Sequence, residues 1–242
     1  MELLNSKDGS WAVKLEDPVR HRAQSVAFSH DGRLLANAVS WEVSIWNSGS
    51  GVEFSSFSPP ETGASTDFAD SLSFSPDDTR LAGTDETASS VYVWRVSDSK
   101  LIRKFRISPK PNVDSDVLFS PDGNLIAVGS VDPAKVFSLA PAARGASAQV
   151  CEIPEPPTGK IDPVAFTPSH DLWLNSPTGF DKWSCASGKP PQRIIEGKTP
   201  FAKVIQLKDG SFVGLSKIDQ GKLTLTDAES AKQIAVISLL AR

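Results

Sequence analysis

The sequence predicts an all-β chain of about five complete four-stranded antiparallel units, and three observations carry that expectation. A twelve-residue wording recurs: SVAFSHDGRLLA at 25–36, SLSFSPDDTRLA at 71–82 and DVLFSPDGNLIA at 116–127, then in weaker form PVAFTPSHDLWL at 163–174 and KVIQLKDGSFVG at 203–214. The copies are evenly spaced, with steps of 46, 45, 47 and 40 residues from Val26 through Leu72, Val117 and Val164 to Val204. That is close to the roughly 40–45 residues of one β-propeller blade. An aromatic residue also recurs in the second half of the units, at Trp46, Trp94, Phe137 and Trp183.

Taken in chain order, LLNSKDGSWAVKLED reads as the end of a third strand, a turn and a fourth strand, a half blade over 1–17. Complete units follow at about 25–57, 71–107, 116–153, 163–195 and 203–240. In the first, Val26 and Phe28 alternate with small or polar neighbours, the period of a half-buried strand. Asp31-Gly32 then supplies a tight turn and Leu34-Leu35-Ala36 begins the return strand. VSIWNSGSGVEF (43–54) and VYVWRVSDSKLI (91–102) each read as a third strand with an aromatic, a polar turn and a fourth strand. The last unit has Thr226 in place of the aromatic. One large aromatic per unit is explained by packing between adjacent sheets, so Trp46, Phe137 and Trp183 are expected to be buried there. Proline-rich connections (SPPETG, SPKPN, IPEPP, KTP) separate the units. Five blades and a half leave three arrangements: an open propeller, a partial one, or a six-bladed ring.

Residue types that could do chemistry are placed as turn residues. Ser29, His30 and Asp31 are adjacent, whereas members of a catalytic triad are brought together by the fold. The position of His30 is Pro76 and Pro121 in the next two copies, so His30 reads as a surface turn residue replaceable by proline at small cost. Gly197-Lys198-Thr199 resembles the end of a phosphate-binding loop, but Gln192 stands where its first glycine belongs and Pro200 follows. His21, His30 and His170 are too dispersed to form a metal site. Paired carboxylates such as Asp77-Asp78 belong to the repeated turn. No catalytic residue, metal or cofactor is expected.

These copies resemble the WD-repeat family of β-propellers over nearly the whole chain, with FSPDG, a following LIA, and an aromatic 17–20 residues later. Their wording is similar to that of WD arrays in fungal proteins. The chain departs from the family at the aspartate that gives it its name, which is replaced by Asn47, Arg95, Ser138 and Ser184. The Gly-His before the first strand is absent too, with His21 as a possible remnant. The resemblance implies a non-catalytic scaffold that binds a protein or peptide, alone or as part of a larger receptor. The alternative is a propeller hydrolase with a site lining its channel.

Composition bounds these readings. The 242 residues are 39% hydrophobic and 22% charged with net charge −4, so nucleic acid is not the expected partner. MELLNSKDG has no basic, apolar signal pattern, and apolar runs such as IAVISLLA are too short to span a bilayer. An intracellular and cytoplasmic protein is therefore expected. Cys151 and Cys185 are the only cysteines and form no C-x-x-C, so unpaired, partly buried thiols are expected, with one disulfide as the alternative. Two charge clusters stand out. Lys100, Arg103, Lys104, Arg106 and Lys110 follow or flank the outer strand of the second unit, where basic residues discourage edge pairing, with an acidic partner or RNA as the alternative reading. Glu61, Asp67, Asp70, Asp77, Asp78, Asp85 and Glu86 surround Arg80. In the resembled family, the loops leading into each blade and those joining its second and third strands share one face. Here that candidate partner-binding face combines Arg20, Arg22 and Trp41 with Asp67, Asp70, Asp85 and Glu86, Trp41 being the expected anchor.

Overall fold

Alternating apolar residues separated by Ser-x-Asp turns carry the chain through successive antiparallel hairpins, which the computed structural model shows strand by strand. It describes residues 2–4, 7–15, 23–39, 42–58, 71–85, 90–108, 115–129, 133–140, 147–154, 160–186, 189–195, 203–206, 212–215, 222–227 and 233–238, with no helix among them. A two-stranded sheet of β1 (Glu2–Leu4) and β2 (Trp11–Lys14) comes first. The first four-stranded sheet holds β3 (Ser25–Phe28), β4 (Leu34–Val39), β5 (Glu42–Asn47) and β6 (Glu53–Phe57). The second holds β7 (Leu72–Phe74), β8 (Arg80–Asp85), β9 (Ser90–Arg95) and β10 (Leu101–Arg106), and the third β11 (Val117–Phe119), β12 (Leu125–Val128), β13 (Ala134–Ser138) and β14 (Gln149–Ile153). The fourth consists of β15 (Asp162–Phe166), β16 (Leu172–Ser176), β17 (Gly179–Ser184) and β18 (Gln192–Ile195), the fifth of β19 (Lys203–Gln206), β20 (Phe212–Leu215), β21 (Lys222–Asp227) and β22 (Gln233–Ser238). Each sheet is a meander in sequence order, as the repeat predicts, consistent with propeller blades.

The chain divides into two compact units, Met1–Val128 with Leu139–Pro141, and Gly129–Ser138 with Ala142–Arg242. In the first unit, the middle strands β4 and β5 of the first sheet are covered on both sides. Leu35 and Trp46 turn toward Leu15, with Leu3 and Val13 of the two-stranded sheet packed against them. Ala36, Ala38, Val43 and Ile45 turn the other way, onto Leu72, Phe74, Leu81, Tyr92 and Trp94 of the second sheet. Each large side chain buried this way contributes about 1.5–3 kcal/mol. Hydrogen bonds join the innermost strands in the same rhythm: the Leu72 amide donates to Ser25 Oγ (3.1 Å) and the Val117 amide to Ser71 Oγ (3.2 Å).

In the second unit, Trp173 of β16 stacks on Phe180 (4.8 Å) and tilts against Phe212 of the fifth sheet (5.2 Å). A one-residue difference in turn length puts it there. Phe28 pairs with Leu35 across turn 29–34, but Phe166 pairs with Leu172 across the shorter 167–171. Leu172 therefore takes the place of Leu35. Trp173 takes that of Ala36, on the face turned to the following sheet, because a shift of one residue exchanges the faces of a strand. Two expectations are corrected here. Trp46 and Phe137 are buried as expected (3% and 4% exposed), but Trp183 is only half-buried and covered by the Arg193 guanidinium, 5.4 Å from its ring centre. The cysteines are not free thiols: Cys151 on β14 and Cys185 just after β17 form a disulfide, their Cα atoms 5.8 Å apart. The two sheets bring within bonding range residues that lie 34 positions apart in sequence.

That bond closes a loop long enough to matter. Chain-entropy arguments give it about 3–4 kcal/mol. Cys151→Ser is expected to lower the urea unfolding free energy by about that amount, and reductant should lower that of the parent protein while leaving the variant unmoved.

Candidate interaction surfaces

At one end of the sheets lie the repeated turns, whose polar groups are engaged internally. Ser29 Oγ accepts the Leu34 amide (2.8 Å) and donates to Asp31 Oδ1 (2.8 Å), and Asp31 in turn accepts the Arg33 amide (2.9 Å). The same lock joins Ser75, Asp77, Thr79 and Arg80, and again Ser120, Asp122, Asn124 and Leu125. In the fourth sheet Thr167 takes the serine's part, accepting the Asp171 amide (3.0 Å). The fourth turn position is left-handed throughout, at Gly32, Asp78, Gly123 and His170, with φ of 72°, 56°, 68° and 63°. Glycine adopts that conformation without strain and Asp and His tolerate it.

Asp78 puts its strained position to use. Its carboxylate reaches the preceding turn, accepting the amides of His30 (2.8 Å) and Asp31 (3.0 Å), with His30 Nδ1 3.0 Å from Oδ1. His30 is thus a surface turn residue as predicted, but its amide is occupied, unlike anything proline could offer. Arg80 extends the other way, its guanidinium 5.7 Å from the Phe119 ring centre. Three turn carboxylates are held below their ordinary range. The Arg33 amide and then the Ser29 hydroxyl lower that of Asp31. Burial raises Asp77, but hydrogen bonds from Ser75 and Thr79 outweigh it. Burial raises Asp171 as well, and Ser184, Ser169 and Lys182 reverse the effect.

At the opposite end lie the starts of β3 and β7 and the ends of β4 and β8, since strands in a meander alternate direction. Of the predicted face, Arg20, Arg22, Trp41, Asp67, Asp70 and Glu86 lie outside the described residues, as do Gly197-Lys198-Thr199. Asp85 is described and is not a loop residue. It ends β8, is 1% exposed, and accepts a long hydrogen bond from Tyr92 Oη (3.5 Å), so burial removes it from the exposed acidic set.

Sequence reasoning missed a buried polar cluster in the fourth sheet. Asp181, 1% exposed at its side chain, accepts from Arg193 Nη2 (2.9 Å) and Ser176 Oγ (3.0 Å), and Arg193 also reaches Thr178 Oγ1 (3.2 Å). Its signal in the sequence was Asp181 next to Phe180 in a strand that continues to Trp183, because a buried carboxylate requires a partner. On β10 the basic cluster is partly tied down: Lys104 sits 5.2 Å from the Tyr92 ring centre, and Arg106 Nε donates to the Ser108 carbonyl (3.0 Å).

The WD domain, G-beta repeat model matches residues 99–133. The solved structure of U3-55K superposes with a TM-score of 0.68 at 12% identity, over 93% of this chain and 66% of that one. The chain thus spans just under two thirds of the length of U3-55K, and at that identity the likeness speaks for the fold alone. A search of curated proteins returns no significant match. The repeat match and the fold support the divergent WD-repeat reading. With 1232 matching chains among solved structures, the fold by itself does not narrow the function.

Two outcomes follow from the turn geometry. His30→Pro, which removes an amide bonded to a carboxylate, should cost about 1–2 kcal/mol. His30→Ala, which keeps that amide, should cost less than about 1 kcal/mol. Urea denaturation compares them, and equal costs would refute the role given to Asp78. The lowered carboxylates have a pH signature. A carboxyl depressed on folding contributes stability that is complete above its unfolded value, near 3.8, and is lost as pH falls through the folded value. The urea midpoint should therefore lose these contributions below about pH 4, and Asp77→Asn should make that acid-side fall shallower.

Proposed function

We propose that this chain is a non-catalytic scaffold of the WD-repeat type that binds a protein or peptide through the loop end of its first two sheets. The observation that carries this reading is the division of labour between the two ends. The turn end repeats one hydrogen-bonded lock in three sheets, with its serines and aspartates already engaged. The loop end is served by connections of unequal length, 40–41 in the first sheet and 86–89 in the second, with 58–71 leading into the second. Variable loops on a rigid frame are where recognition usually resides. The repeat match and the WD-type structural neighbour support a protein-binding role at the level of the family.

With Asp85 withdrawn, the candidate set is Arg20, Arg22, Trp41, Asp67, Asp70 and Glu86, its mixed charges suited to a protein surface rather than to nucleic acid. The hydrolase alternative has less support, because the repeated serines donate to aspartates inside their own turns. The intracellular setting expected from the sequence is kept here as a proposal. It carries the corollary that the Cys151–Cys185 bond is open to reduction in the cell.

Affinity capture followed by mass spectrometry identifies the partner, and titration of that partner tests the site. Trp41→Ala is expected to weaken it by about 2 kcal/mol or more, as tryptophan anchors do. Arg33→Ala, 84% exposed at the turn end, should leave it unchanged. The reverse pattern would place the partner at the other end, and hydrolysis in a broad substrate screen would replace the scaffold reading.

A further inference from the structure

Two sheet junctions in the first unit are each sealed by a buried tryptophan. Trp46 packs with Leu15 against Leu3 and Val13 of the two-stranded sheet, and the Trp94 ring centre lies 5.0 Å from that of Phe57 on β6 of the preceding sheet. At the second of these junctions β6 also meets the turn between β9 and β10, where Ser99 Oγ donates to Ser55 Oγ (3.0 Å). Packing and a hydrogen bond hold the sheets together there.

The fourth sheet has the same parts in a different state. Trp183 pairs with Leu172 across β16 and β17, as Trp46 pairs with Leu35 and Trp94 with Leu81. It is nevertheless half-buried, and its cover is the Arg193 guanidinium from β18 of its own sheet. Two residues on, at the start of the β17–β18 connection, Cys185 bonds to Cys151 on β14, the outer strand of the third sheet. Cys151 pairs with Val136 as Ser55 pairs with Ile45, each partner standing just before the aromatic of its third strand. The disulfide thus takes the place of a bond between hydroxyls, beside a tryptophan that seals its junction less well than Trp46 and Trp94 seal theirs. The two cysteines are unequal. Cys151 is buried, whereas Cys185 is partly exposed and open to a thiolate from solvent.

We propose that Cys151–Cys185 is a reversible redox clasp, opened by a dithiol, which frees β14 and the β17–β18 edge from each other while the sheets stay folded. A thiolate of the dithiol attacks Cys185 Sγ, forming a mixed disulfide and expelling the Cys151 thiolate. The second thiolate of the dithiol then attacks its own sulfur in that mixed disulfide and releases Cys185. Two electrons pass from the dithiol to the cysteine pair, the dithiol becomes a disulfide, and its two protons end on the cysteine thiolates. A low-molecular-weight disulfide reverses the exchange. Opening is local because β14 keeps its pairing to β13 and β18 its pairing to β17. The clasp uses no residue of the loop-end set, so either reading can fail alone.

Hydrogen exchange of the full chain, with and without dithiothreitol and without denaturant, reads the clasp. At labelling times too short for β8, β9 and β16 to exchange in either form, the amides of β14 and β18 should exchange about tenfold or more faster in the reduced protein. Iodoacetamide should then label both cysteines, and exchange of dithiothreitol for oxidised glutathione should restore both the bond and the protection. Cys185→Ser, which cannot form the bond, should show the fast pattern with or without reductant. A bond that dithiothreitol leaves intact in the native protein would overturn the proposal. So would β14 and β18 amides that exchange at the same rate in both forms, or a reduced protein that glutathione does not close again. Loss of protection in β8, β9 and β16 at the same labelling times would overturn it too, making the bond a staple of the whole fold.

Discussion

A sheet that lies between two others must offer apolar side chains on both faces, and the middle strands of these units are built under that constraint. β8, β9 and β16 are buried at nearly every position, with no polar stripe turned to water. On β4 and β5 the two faces differ in size: Leu35 and Trp46 toward one neighbour, Ala36, Ala38, Val43 and Ile45 toward the other. Alanines on one sheet make room for Phe74, Tyr92 and Trp94 on the next. Large therefore meets small at the interface, as close packing requires. Where such a strand carries a polar group, it must be paired. Trp46 Nε1 donates to Asn37 at 2.6 Å, and Asp181 is held by Arg193 and Ser176.

The ends of the sheets follow a different logic, because there the hydrogen bonds are local. The Ser-x-Asp lock closes each first hairpin using groups a few residues apart, so it repeats wherever the wording repeats. The positions where the resembled family carries its namesake aspartate are put to other uses. Asn47 caps its own turn by accepting the amides of Gly49 and Ser50, and Arg95 pairs with Asp98 at 2.7 Å. Links between neighbouring turns come from residues that break the repeat. Asp78, where the first and third copies have glycine and the fourth His170, is the one that reaches the turn before it. A departure from the repeat is thus the place to look for a contact between sheets.

Burial of both faces also accounts for what is exposed. Val26 and Phe28 belong to the pattern that buries Leu72 and Phe74, but only β1 and β2 precede them among the described strands of the first unit. The second unit adds a covalent tie, since Cys151 and Cys185 join the outer strand of one sheet to the end of the third strand of the next. The half-buried Trp183, two residues before Cys185, takes its cover from Arg193 within its own sheet.

Strand positions, turns and the order of strands in each sheet were legible in the sequence, because they depend on alternation over two residues and on turn chemistry over five or six. Which face of a strand is covered was not legible in the same way, because the covering residues come from another copy some 46 positions away. Val26 and Leu72 look alike in their local sequence and differ in exposure, 53% against 8%, because of what precedes each in space. Trp173 changed faces through one residue fewer in a turn, a difference hidden by aligning the copies without a gap. Asp85 read as a loop acid because its neighbours are polar, yet β8 runs on to include it, and the sheet buries it. The cysteine pair, 34 positions apart, became a bond only once two sheets stood side by side. Local sequence determined the strands and their turns; the stacking of sheets decided which side chains are core, which are paired and which stay exposed.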